Sequence, residues 1–589
     1  MKNNTVTKLI TKPILFVFFC IIVLNVFTSV TLCVRLPTTQ NVSTIADLKT
    51  AITNSVAGDI IILADGPYSN TSLTISKSNI TIKSATPGGV SLNGTNAITI
   101  SGSNITFSGF QFISNTTLVD RPIDVSGNSN TLTQLNFNGY SAKNMIYITG
   151  SNNTVSYSNF QNKPAIMIAK AGTGALIQII PNGIGNNKIQ YCSFQKLPGM
   201  GGDYGNECIR IGNSSYATVV SRTIVEHCYL EDTGLGDSES ISVKSMENVL
   251  RFNTMRNNQL TNFCFRNGNN NVAYGNFFIN AGGIRVKEAN NIFCYNNYFE
   301  NCGDGNISAP VKYVYDETST KDHLNNLNFV HNTFVGGTPI ELGKLITLNN
   351  GNIQVTTFTN NTWANNIFKN TTSNIFSETV TGNSFAGNIY NGTLGITVPS
   401  GMNDIDPLLV TNADGYKGLS ASSPAIDAAS SSYPSILDIA AINDDPSLLF
   451  DGSGKSRPTT ITLKDVGSDE FTTGTTTNHP LTVSEVGPSY LGGPSLSVST
   501  NEKFDTQNAI AIFPSIAKYE ITIATSAAIG NLFSVSIFNL NGQKVKMSTV
   551  FQNQDGTNRY DVSDLNNGIY FVKVTSKEFS KTMKLIIQK

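Results

Sequence analysis

Residues 234–245 read GLGDSESISVKS, which sets two carboxylates, Asp237 and Glu239, just ahead of Lys244. The chain is otherwise sparing with charge, at 13% charged residues. Paired acids next to a lysine suit proton transfer, or a hard cation that prefers oxygen ligands in flexible arrangements. Further bases stand alone in nearby strings: Arg210 in NECIRIG, Arg266 in FCFRNG, and Arg285 with Lys287 in GGIRVK. Tyr204, in GGDYGNE, adds an aromatic that can lie against a sugar ring.

Side chains this far apart in sequence need a regular scaffold to meet, and the chain contains one. Short units recur as ITFSGFQFISN from Ile105, LTQLNFNGY from Leu132, VSYSNFQN from Val155, IQYCSFQK from Ile189 and IFCYNNYFENCG from Ile292. Asn136 to Asn159 is 23 residues, as is Asn253 to Asn276. Each unit alternates polar and apolar residues, then turns at Asn or Gly. A coil of this length cannot bury its own inner face, but stacked coils bury a continuous column. The expected fold is therefore all-β, a right-handed parallel β-helix. The even coil length and the lack of hairpin turns between units argue against a β-sandwich.

Alternation then serves as a ruler. Ile209 and Ile211 point in, so Arg210, Cys208 and Asn206 share the other face. Ile241 and Val243 point in and Lys244 out; Phe263 and Phe265 point in and Arg266 out; Ile284 and Val286 point in and Arg285 out. Coils stack about 4.8 Å apart, so these bases form one strip along the helix axis. Asp237 and Glu239 have the parity of Ile241, and a turn or bulge around Ser238–Ser240 is needed to bring them beside Lys244. With an amide oxygen from Asn206, the two acids would then make a Ca²⁺ site.

Such a group of residues has a use in cleaving uronic-acid polysaccharides by β-elimination. A cation neutralises the sugar carboxylate and stabilises the enolate-like intermediate, a lysine accepts the C5 proton, and an arginine steadies the developing charge. A β-helix hydrolase would instead need two carboxylates placed across a sugar bond. A non-catalytic glycan-binding protein could use the same basic strip. His227, His323, His331 and His479 show no ligand spacing. Lys plus Arg (39) nearly cancel Asp plus Glu (40), which makes no general case for nucleic acid.

The strings NECIRIGNSS, GDSESISVKSMENVLRFNTMRN, FRNG, VAYGNFFINAGGIRV and NNYFENCGDG resemble the alginate lyase and chondroitinase B family of polysaccharide lyases. The resemblance implies Ca²⁺ held by Asn206, Asp237 and Glu239, with Glu207 adjacent as an alternative third ligand. It also implies Lys244 as the base, Arg266 as the catalytic arginine, and Arg285 as a substrate-binding residue; Arg210 and Tyr204 are further candidates for substrate contact. Alginate, as poly-mannuronate, is the implied substrate and dermatan sulfate its rival. Asp237 stands where the family has glutamate, and Asn267 where histidine commonly follows the arginine.

The remaining segments are organised around that domain. Residues 1–34, with Lys2, Lys8 and Lys12 ahead of PILFVFFCIIVLNVFTSVTLCV, read as a signal peptide, an uncleaved anchor being the alternative. Residues 38–470 form the β-helix domain and 471–508 a linker. Residues 509–589 alternate into strands joined by NG and NNG turns, a small β-sandwich. IFNLNGQKV, DVSDLNNGIYFVKV and TMKLIIQK resemble the sorting domain of the type IX secretion system of Bacteroidetes, which implies export through the outer membrane, by that machinery, to the cell surface or the medium. Cys192, Cys208, Cys228, Cys264, Cys294 and Cys302 lack zinc-site spacing and read as stacked buried thiols.

Overall fold

The computed structural model describes residues 35–164, 174–197, 205–233, 238–314, 324–343, 346–347, 353–354, 358–377, 382–439, 442–495, 510–513, 516–525, 532–539, 543–551, 557–575 and 580–589. The segment read as a signal peptide, together with Tyr204 and Asp237, lies outside them. The chain divides into two compact units, residues 1–494 and 495–589.

The first unit is a right-handed parallel β-helix with three faces. Two sheets have 14 strands each and the third has 11, and each strand pairs in parallel with its counterpart one coil away. Alternation fills the interior as expected, and buried aromatic side chains stack coil on coil. Phe112, Phe137, Phe160 and Phe194 form one such column, with ring centroids 4.4, 5.3 and 5.0 Å apart. An asparagine ladder runs beside the apolar core. Asn253, Asn276, Asn297, Asn332 and Asn366 each donate the side-chain amide to the next asparagine at 2.9–3.0 Å, the row ending at Asn388. Each after Asn253 also accepts the backbone N–H of the asparagine before it, and Asn253 accepts that of Cys228, so the buried turn is left with few unpaired groups.

The N-terminal end of the stack is covered by the helix Ile45–Asn54. Thr44 caps it by accepting from the Asp47 N–H, and Leu48, Ala51 and Ile52 bury its inner face in the main core. Covering the first coil removes an open edge that could pair with another chain.

The described residues of 405–494 run back along the outside. Ile436, Ile439, Ile442 and Leu448 pack on Val249, Val272, Tyr274 and Phe293, which face outward from one 14-stranded sheet. Part of the stretch read as linker is also seated on the helix: Leu481 N–H bonds Thr254 Oγ1 at 2.7 Å, Gly487 N–H bonds Tyr191 O at 2.8 Å, and Ser489 N–H bonds Gln134 Oε1 at 2.9 Å. These segments lie over the two 14-stranded sheets, so the charged outer face of the 11-stranded sheet faces solvent between them.

The second unit is a β-sandwich of a three-stranded and a five-stranded sheet. Ile521, Ile523, Val535, Ile537, Val572, Val574 and Leu585 form its core. The six cysteines from Cys192 to Cys302 are buried and free.

Candidate active site

Five strands of the 11-stranded sheet build the site: Ile177–Ile179, Ile209–Gly212, Glu239–Lys244, Asn262–Arg266 and Ile284–Lys287. Their register stacks Gln178, Arg210, Ser242, Cys264 and Arg285 in one outward row. A second row follows two residues on. Val243 pairs with Phe265, which brings Lys244 next to Arg266, and Arg266 pairs with Lys287. Ser242 and Cys264 are short, so the row dips between Arg210 and Arg285 and the longer side chains lean over the gap.

The acids arrive by a break in alternation. The pairing of Glu239–Lys244 with Asn262–Arg266 slips between Glu239 and Ile241. That bulge turns Ser240 inward, where its hydroxyl contacts Thr233 and Thr261, and leaves Glu239 on the outer face. The same irregularity continues one coil earlier, where the Cys208 N–H bonds Ser240 O. Cys208 therefore belongs to the buried core and does not share Arg210's face, as strict alternation suggested. Glu207 faces the site in its place. Asn206 precedes it with φ at +85°, a left-handed conformation that asparagine tolerates better than most residues.

Acids form the floor and bases the rim. The Glu239 and Glu207 side chains are 0% and 1% exposed, against 12% for Lys244, 15% for Arg285, 23% for Arg210 and 24% for Arg266. Glu239 Oε1 lies 3.1 Å from Arg266 Nη1 and 3.9 Å from Arg285 Nη1, while Oε2 accepts from the Ser242 hydroxyl at 2.5 Å. Burial pushes the Glu239 carboxyl up, but Lys244, Arg266, Arg285 and the Ser242 hydroxyl outweigh it and hold the group below its ordinary value. Glu207 lies 3.4 Å from Arg210 and 3.8 Å from Lys244. Arg210 is aimed by Gln178, whose Oε1 accepts from its Nε. Arg285 Nη1 donates to Ser238 Oγ at 2.6 Å. Lys287 is depressed by burial and by Arg266 and Arg285 beside it.

Sequence reasoning missed one member altogether. Lys163 is 3% exposed, and its Nζ donates to Asn206 Oδ1 at 2.5 Å. Burial lowers it to about 8, against the pull of the Glu207 carboxylate. Gln178 was also missed, although aligning LIQII with CIRIG puts it in Arg210's row.

The expected residues Asn206, Arg210, Glu239, Lys244, Arg266 and Arg285 thus come together. Tyr204 and Asp237 lie outside the described residues. Of the three residues expected to hold Ca²⁺, Asp237 is outside the described residues, and the oxygens of the other two are already engaged. Asn206 Oδ1 is spent on an ammonium, and both Glu239 oxygens are spent on Arg266 and Ser242, whereas Ca²⁺ takes six to eight oxygen ligands. Among the described residues no three His, Cys, Asp or Glu side chains gather into a metal-binding group. What the site offers is an excess of positive charge, with Lys163, Lys244, Lys287, Arg210, Arg266 and Arg285 around Glu207 and Glu239. Such a field draws in a polyanion and favours negative charge that develops during a reaction.

A family profile described as Chondroitinase B matches residues 42–404. Another, described as Secretion system C-terminal sorting domain, matches residues 511–588. No curated protein matches the sequence significantly. Among solved structures, the chain is similar to the PL6 family alginate lyase AlyGC, with 21% identity and a TM-score of 0.57; the match covers 65% of this chain and 55% of that one. A mannuronic acid specific polysaccharide family 6 lyase from human gut microbiota matches at 21% identity and a TM-score of 0.50, covering 60% and 86%. A PL6 alginate lyase in complex with a trisaccharide matches at 18% and 0.51, covering 65% and 91%. The chain thus spans little more than half the length of AlyGC, and these likenesses show the fold.

Proposed function

We propose, for a chain that belongs to the chondroitinase B family, that it cleaves a uronate-containing polysaccharide by β-elimination and that its substrate is alginate rich in mannuronate. The observation that carries this reading is the arrangement of Lys244, Arg266 and Arg285 over the buried Glu239. Substrate follows the solved structures that share the fold, which are described as alginate lyases.

The chemistry can be written with this chain's residues. Lys244 in its neutral form takes the C5 proton of the uronate. The electron pair left at C5 is delocalised into the sugar carboxylate as an enolate-like anion, and Arg266 and Arg285 lie where positive charge offsets it. The C4–O bond then breaks, a C4=C5 double bond forms, the leaving oxygen takes up a proton from water, and Lys244 returns the one it holds to solvent. Glu239 touches no substrate in this scheme. Buried beneath the bases, it fixes where Arg266 and Arg285 stand, and a polymer in the groove meets positioned cations rather than mobile ones.

The C-terminal unit is a type IX secretion sorting domain, and it marks the chain for export through the outer membrane. An exported enzyme meets polymer too large to enter the cell, which agrees with a solvent-facing groove.

The test is absorbance of the new double bond in the far ultraviolet, with poly-mannuronate, poly-guluronate and dermatan sulfate supplied separately. Signal on poly-mannuronate that disappears in Lys244→Ala supports the proposal. Signal confined to dermatan sulfate would overturn the substrate, and folded protein silent on every uronate would leave a glycan-binding protein.

A further inference from the structure

Lys163 follows the strand Asn159–Gln161 and reaches across the end of the coil to Asn206, 43 residues later. An ammonium at 3% exposure is costly to bury unless it is paired and hydrogen-bonded. Its partners are the Asn206 amide oxygen and the field of the Glu207 carboxylate. These are oxygens that sequence reasoning gave to a divalent cation.

We propose that Lys163 takes, from within the chain, the place otherwise assigned to Ca²⁺ beside Asn206 and Glu207, so that elimination proceeds without a divalent cation and the substrate's charge is met by Arg266 and Arg285. The inference rests on the lyase reading above.

Three observations converge on it. First, the contact fixes the Asn206 amide: turning it over would set Nδ2 against the Lys163 Nζ, donor against donor, so Oδ1 is not available to a metal while Lys163 stands there. Second, Asn206 and Arg285 each leave a donor unpartnered beside the groove, Nδ2 and Nε, and donors repel a cation; the unpartnered acceptor Asn258 Oδ1 belongs to a side chain engaged with Thr233 and Ser240. Third, Glu239 is already satisfied by Arg266 and the Ser242 hydroxyl. A divalent ion brought to this corner would face the Lys163 ammonium and Arg266 at close range, with few free oxygens among the described residues to hold it.

Lys163 is too buried to touch the polymer, so its role is that of a positioning residue. By sharing Glu207 it weakens that carboxylate's hold on Lys244 and Arg210, which lie 3.8 and 3.4 Å from it. Both remain available to the substrate.

The experiment begins with the full-length secreted protein, stripped with chelator and titrated with Ca²⁺ by calorimetry, while elimination on poly-mannuronate is followed in parallel. The expected result is no stoichiometric Ca²⁺ uptake and the same rate with chelator as with Ca²⁺. Stoichiometric uptake, with activity that returns only as Ca²⁺ is added, would overturn the proposal. A second arm uses Lys163→Ala and Lys163→Met. Lys163→Ala opens the corner and is expected to bind Ca²⁺ and to regain with it part of a lost kcat. Folded Lys163→Met that turns over like wild type without metal would overturn the assignment. If the variants fail to fold, the wild-type titration still decides. Protein silent on every uronate would count against the lyase reading, whereas the calorimetry would still report whether this corner takes a divalent cation.

Discussion

Arg266 Nη1 lies 3.1 Å from Glu239 Oε1, across the junction of two successive coils and 27 residues apart in sequence. The carboxylate is fully buried and the guanidinium reaches the groove, so the pair acts as an anchor and its load. Neutralising the anchor by Glu239→Gln keeps the shape and removes the attraction that aims Arg266 and Arg285. The expected outcome is a fall in kcat of about 100-fold, the usual effect of misplacing a catalytic group by an ångström, with KM much less affected. Steady-state kinetics on poly-mannuronate check it; unchanged kcat would show that the arginines are held by something else.

Lys244 separates charge from proton acceptance. Lys244→Arg keeps a cation on the rim but puts a guanidinium, which does not give up its proton, where the base stands. We expect polymer binding near that of wild type and elimination slower by about 10³-fold, within the range for loss of a general base. Affinity electrophoresis in alginate gels and the double-bond assay read the two quantities separately. Equal loss in Lys244→Arg and Lys244→Ala, with binding retained in the arginine variant, identifies proton transfer as the missing function. An active Lys244→Arg would sink the assignment.

The repeat was legible because it obeys a simple rule. Inward Ile209, Ile241, Phe263 and Ile284 put Arg210, Lys244, Arg266 and Arg285 outward with no further information. The same rule failed wherever the strand stopped being regular. It cannot tell that Ser240 buries its hydroxyl against Thr233 and Thr261, which throws Glu239 outward, or that Cys208 joins the core beneath Glu207. Lys163 lies just past a turn at Asn162, whose φ is +55°, and just before Pro164, where alternation has no purchase. Its partner is 43 residues away, and only the stacking of coils brings the two together.

His227 gives the fold an acid-sensitive point away from the groove. Its ring stacks between Tyr191 and Phe252, at 4.8 and 5.2 Å, with Glu226, Arg251, Lys188 and His479 around it. Burial lowers it to about 4, with Arg251, Lys188 and His479 adding to the effect and Glu226 opposing it. Because the folded value lies below that of an unfolded histidine, the neutral ring contributes stability that is present above about pH 6.5 and is lost as pH falls toward 4; for a partly buried ring that loss is about 2–3 kcal/mol. His227→Phe retains the stack and has nothing to protonate. Its unfolding temperature, followed from pH 7 to pH 4, is expected to fall less steeply than that of wild type. Parallel curves would show that the ring does not titrate in this window.

The asparagine ladder gives the last test, one of stability alone. Asn276 accepts the Asn253 backbone N–H at 3.0 Å and donates to Leu250 O at 2.9 Å and to Asn297 Oδ1 at 2.9 Å. All these groups are buried, so no water replaces a lost partner. Asn276→Ala leaves a backbone donor and a carbonyl unsatisfied and opens a small void, at about 1–3 kcal/mol for each unpaired group. Asn276→Asp restores the acceptor toward Asn253 but cannot donate, and it adds a buried charge, so it is expected to destabilise at least as much at neutral pH. Both should lower the unfolding temperature by several degrees without changing kcat in the surviving fraction, because Asn276's side-chain hydrogen bonds go to Asn253, Asn297, Leu250 and Tyr274 and not to the groove residues. If Asn276→Ala unfolds at the wild-type temperature, the ladder is not a support of the stack, and the cohesion of the coils rests on the apolar columns and the backbone pairing.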